Sequence, residues 1–200
     1  MVNKFVAIIL LCVSILTSGY IRYLETKDFN FPITYDQARD MLDLRVMATF
    51  KDIQVIGPTT SINGVMLGPG YYYFNLPAFW LGHGNPQVLI NWNIFWFLLS
   101  AVAIFLFFYK KNLWLGLVIT IIYLFAPHLF NITGYFWNAN SMVYVFVFFC
   151  LAIWNFSEKK TRSSALWLGV FASISMHFEA AFGVVLSTRR LALVFATDSI

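Results

Sequence analysis

Apolar residues fall in long runs along this chain. Phe5–Tyr20 carries no charge, Val88–Tyr109 ends at Lys110-Lys111, and Leu113–Pro127 is shorter. Ser141–Phe156 ends at a basic cluster, and a further run begins at Ala165. Crossing a bilayer takes about 20 mostly apolar residues in a helix. The pattern therefore predicts an all-α, polytopic membrane protein with about five spans. Between the first two runs lies a polar segment, residues 22–86, read as a large external loop. Thr34 with Gln37 fits a capping box and opens a helix there. Leu42, Val46, Phe50 and Ile53 recur at helical spacing, so this amphipathic helix is expected to reach about Ile53 and lie on the bilayer. Gly57-Pro58 would end it. A glycine-punctuated turn, Ile62 to Gly70, then runs into Tyr71–Trp80, the start of an interfacial helix or of a short apolar segment.

Charge sets the orientation. Lys4, Lys110, Lys111, Lys159, Lys160 and Arg162 can all lie on the cytoplasmic side, which puts residues 22–86 and the His128–Asn140 turn outside. Thr17 and Gly19 would suit a signal-peptide cleavage site, but the later runs favour an uncleaved first span. The end of the chain fits less well. His177-Phe178-Glu179 interrupts an apolar run that resumes to Leu186. One continuous span would place Arg189-Arg190 outside, against the charge rule, and a re-entrant half-helix avoids this. Ser187–Ile200 completes no span. Residues 1–200 are thus expected to be the N-terminal part of a larger transmembrane domain, with 187–200 as an atypical tail.

Composition agrees: 60% of residues are hydrophobic and 11% charged, against about 25% charged in soluble domains. A net charge of +4, with no basic groove studded by aromatics, argues against nucleic acid. Cys12 and Cys150 sit inside apolar runs and read as buried thiols. The chain has no phosphate-cradling GxxxxGK[ST], no HExxH and no GxSxG, which removes ATPase, zincin and serine hydrolase readings.

The densest ionisable group is Thr34–Asp43. Asp36, Asp40 and Asp43 share one helical stripe, with Arg39 beside them. Asp36 is either a carboxylate satisfying the helix N-terminus or a general base at the membrane surface. Arg39, Arg45 and Lys51 could hold an anionic headgroup or phosphate, or pair with the neighbouring acids. His177 and Glu179, at the edge of a span, are functional candidates or interface residues. A metal shared by Asp36 and His177 has no ligand spacing behind it, and metal use stays open. Asn131-Ile132-Thr133 matches a glycosylation acceptor.

Tyr35-Asp36-Gln37-Ala38-Arg39-Asp40, Leu67-Gly68-Pro69-Gly70-Tyr71-Tyr72-Tyr73 and His177-Phe178-Glu179 occur here in an order that resembles the GT-C type membrane glycosyltransferases. More narrowly, it looks like the dolichyl-phosphate-mannose protein mannosyltransferase and aminoarabinose transferase group. In that group a first span leads to an external loop, where an Asp, commonly followed by Glu, opens an amphipathic helix. Gln37 stands here for the usual second acid, so that role fails or passes to Asp40. The resemblance covers roughly residues 1–186. It implies sugar transfer from a polyprenyl-phosphate donor to an acceptor at the outer face of a prokaryotic plasma membrane. Asp36 would be the base, with Asp40 as substitute or assistant. Tyr71, Tyr72, His177 and Glu179 would be substrate-binding residues. Arg39 is added from its charge, as a phosphate partner. The isolated chain is expected to lack a complete donor site. The alternative is a non-catalytic membrane protein, a transporter part or scaffold, with an acidic external loop. A transporter should carry ionisable groups near the centres of its spans, and Val88–Phe156 has almost none.

Overall fold

The structure, a computed structural model, describes residues 2–60 and 64–182. It is built from helices: α1 Val2–Thr26, α2 Tyr35–Ala48, α3 Gly70–Leu81, α4 Pro86–Tyr109, α5 Leu113–Phe125, α6 Pro127–Thr133, α7 Asn138–Lys159 and α8 Arg162–Phe178. Among the described residues, α1, α4 and α7 are long and apolar enough to cross a membrane. The count becomes four if the bent pair α5–α6 forms one span. The fifth expected span rests on α8, whose 17 residues lie at the lower limit for crossing. Of the proposed re-entrant return to Leu186, only residues 180–182 are described, and they are helical, while Arg189-Arg190 and the tail 187–200 lie outside the described residues.

Apolar surface faces outward as well as inward. Phe5, Leu16, Ile122 and Leu166 are all exposed, as helices ringed by lipid require. Cys12 and Cys150 are exposed too, which corrects the expectation of buried thiols: each sits on the outward side of its helix. The core forms around α4. Leu89, Ile90, Phe97 and Ala101 are buried there against Leu124 of α5 and Tyr144 and Val145 of α7.

Helix ends follow local chemistry. Asn85 caps α4 through Gln87 N–H at 2.9 Å, and Asn112 caps α5 through Leu115 N–H at 3.0 Å. Pro127 cannot continue α5, and the axis turns by 58° into α6. The break orphans carbonyls at the end of α5. That of Leu124 accepts from Ser18 Oγ at 3.1 Å and from Arg22 Nη1 at 3.0 Å. The apolar run expected to end at Tyr20 therefore continues as α1 to Thr26, and Arg22 is a buried part of the bundle. Its guanidinium lies between the rings of Phe97 and Phe130, at 4.2 and 3.9 Å, and its Nε donates to Thr133 Oγ1 at 2.9 Å.

The amphipathic helix α2 stops at Ala48, not near Ile53. The Thr49 hydroxyl donates to the carbonyls of Arg45 and Val46, both at 3.0 Å, and Trp80 Nε1 takes that of Ala48 at 3.2 Å. With those carbonyls occupied, Phe50 turns into the left-handed region at φ 54°. The expected apolar stripe is still presented outward, with Leu42, Phe50 and Ile53 exposed. The segment from Tyr71 is a helix, α3, of 12 residues, too short to cross.

Candidate functional site

The acidic stripe on α2 meets the first turn of α3. Gln37 folds back on the start of α2, its Oε1 accepting from Thr34 N–H at 2.8 Å and from the Thr34 hydroxyl at 2.6 Å. The same hydroxyl lies 2.8 Å from Tyr135 OH. This ties α2 to the turn between α6 and α7, so the two segments read as external do meet.

Arg39 joins two carboxylates. Its Nε and Nη2 donate to Asp40 Oδ1 at 3.0 and 2.8 Å. Its Nη1 lies 3.1 Å from Asp36 Oδ1 and donates to Thr59 Oγ1 at 2.7 Å. From α3, Tyr72 OH reaches Asp43 Oδ2 at 2.8 Å and Asp40 Oδ1 at 3.3 Å. Asp43 is thus part of the cluster through Tyr72. Nothing in the sequence pairs Tyr72 with Asp43 or Thr59 with Arg39: the partners are far apart in the chain, and only tertiary packing joins them.

The two candidate acids differ in access. The Asp36 side chain is 40% exposed, while that of Asp40 is fully buried. Asp40 Oδ2 has no partner. Burial raises the Asp40 carboxyl to about 6, against the opposing pull of the Arg39 guanidinium and the Tyr72 hydroxyl. Arg39 also loses water on burial, yet its contacts with Asp40 and Asp36 raise it overall. The asymmetry follows exposure: the Arg39 side chain keeps 18% of its surface, so its charge is cheaper to hold. Burial and the neighbouring acids push the Tyr72 hydroxyl upward, so it stays a donor.

The remaining site residues frame this cluster. Tyr71 and Tyr72 are both buried and hold the cluster from within the fold. Tyr71 packs edge-on against Phe178, centroids 5.6 Å apart. His177 lies on the glycine turn that opens α3, where Gly70 N–H donates to its Nδ1 at 3.3 Å. It thereby sets the position of Tyr72 through a few residues of backbone. Glu179 breaks α8 in extended geometry, and its Oε1 accepts from Ala181 N–H at 3.3 Å. Among the described residues, no group of three or more His, Cys, Asp or Glu side chains is placed to hold a metal.

The arrangement provides one accessible carboxylate beside a fixed cation, at the end of an apolar helical bundle. Such a pair can accept a proton and stabilise negative charge developing next to it. No family model matches the chain, and neither does any curated protein or solved structure.

Proposed function

We propose that this chain is the N-terminal part of a membrane glycosyltransferase that uses a polyprenyl-phosphate sugar donor. The reading includes five spans, with α8 the last of them, and the α2–α3 region outside the cell. Asp36 takes the proton of an acceptor hydroxyl. The hydroxyl oxygen bonds to the anomeric carbon, and the bond from that carbon to the carrier phosphate oxygen breaks. The phosphate leaves with the bonding electrons, with inversion at carbon. Arg39, held by buried Asp40, places positive charge where phosphate charge develops. The observation that carries the reading is the contrast within the stripe: Asp36 is accessible, while Asp40 is sealed and serves to hold Arg39. The exposed side of α2 suits a donor whose tail stays in lipid and whose headgroup meets the carboxylate at the interface.

The test is transfer of labelled sugar by membranes carrying the protein in its full genomic reading frame. Asp36→Asn should abolish transfer while membrane insertion is kept. Near-normal transfer by that variant would remove Asp36 as the base, and no transfer by the parent protein would favour the non-catalytic scaffold reading.

A further inference from the structure

The face of α2 opposite the acids carries a second, separate constellation. Arg45 lies nine positions from Asp36, two and a half turns on, and so on the other side of the helix. A cavity of about 770 Å³ opens there between α2 and the end of α3. Met41, Leu42 and Phe79 give it apolar walls, and Arg45, His83 and Thr49 supply its polar groups. Its lining contains no acid.

Two observations separate Arg45 from Arg39. Arg39 spends its donors on Asp36, Asp40 and Thr59. The Arg45 guanidinium makes no ion pair or hydrogen bond among the described residues, although Asp43 and Asp52 are near in sequence. His83, whose imidazole makes no hydrogen bond among the described residues, has its backbone in the left-handed region at φ 49°. Such backbone strain in a non-glycine residue recurs at binding sites. The cavity borders the apolar surface of this region, where Leu42, Phe50, Trp80 and Leu81 are exposed and Phe50 packs on Trp80 at 5.7 Å.

We infer that this cavity binds an anionic phospholipid, with the headgroup phosphate on Arg45 and His83 and the upper acyl chain on Met41, Leu42 and Phe79. A guanidinium and an imidazole with no acid in the lining select a phosphate. Apolar walls continuous with an exposed apolar surface select an amphiphile over a soluble anion. The site lies across α2 from Asp36 and does not depend on the catalytic reading.

The experiment titrates the purified full chain in detergent with phosphatidylglycerol or phosphatidylcholine of equal chain length, read by native mass spectrometry. Phosphatidylglycerol should bind in preference. Arg45→Gln should weaken it about fivefold, the worth of one basic residue near an anionic lipid. His83→Asn, which suits the left-handed backbone, should weaken it as well. Lys51→Gln, which removes an exposed cation outside the cavity, should leave binding unchanged, as should Asp36→Asn. Equal binding of the two lipids, or undiminished binding by Arg45→Gln, would overturn the proposal. So would displacement of the lipid by inorganic phosphate, which would mark a soluble-anion site.

Discussion

Asp40 is a carboxylate with no water to turn to. One of its oxygens meets Arg39 and Tyr72, and the other meets nothing. Its folded-state value of about 6 stands above the ordinary value of about 4 for an unfolded aspartate. Between those two pH values the fold binds more protons than the unfolded chain. This group's contribution to stability is therefore full below about pH 4 and is lost as pH rises through about 6. Thermal unfolding in detergent should show a midpoint that falls over that window, and Asp40→Asn should flatten the fall. An unchanged slope in the variant would mean another group titrates there. The sequence shows the three aspartates on one stripe, because helical spacing is local information. It does not show which of them is sealed, because that depends on where α3 packs.

At the level of elements, the region around α2 and α3 is assembled by close backbone approach. A Cβ on Gly57 would fall 2.1 Å from the carbonyl oxygen of Gly68, and one on Gly68 would fall 1.8 Å from His177 Nδ1. Loop, turn and helix are thus layered with no room for a methyl group. Gly57→Ala and Gly68→Ala should each cost about 1–3 kcal/mol, as overpacking does. Adding His177→Ala should recover most of the Gly68→Ala loss and none of the Gly57→Ala loss, since the second clash is with backbone. Additive losses in that double-variant series, measured by thermal unfolding, would remove His177 from the layer. Turn chemistry in the sequence predicts that the chain bends at Gly57 and Gly68. It contains nothing to say that the two bends stack, or that α2 ends at Ala48, where Trp80 from a later helix takes the carbonyl.

On the scale of the whole molecule, long apolar runs made the helical bundle and its main spans legible, because a bilayer imposes length and hydropathy directly. The inward and outward faces of those spans were not legible, because both are apolar. Cys12 and Cys150 report on this. Both are exposed, and in a bilayer they should resist a water-soluble maleimide and react once the protein is unfolded in sodium dodecyl sulfate. Rapid labelling of intact, reconstituted protein would place water, not lipid, against α1 and α7.

The contacts of Arg22 also have an order in time. Its partners Leu124 and Thr133 lie 102 and 111 residues later in the chain. At a synthesis rate of about 5–20 residues per second, α1 waits roughly 5–20 s for them. During that interval Ser18 of its own helix is the only hydrogen-bonding residue of the final set already made, and the guanidinium must reach toward the headgroups for water. Helix α1 therefore settles only after these later segments are made, and its final depth is fixed by the α5–α6 bend. A ribosome that stalls before Thr133 would leave an incomplete bundle with an unsheltered charge, the kind of exposed polar feature by which quality control can recognise an unfinished membrane protein.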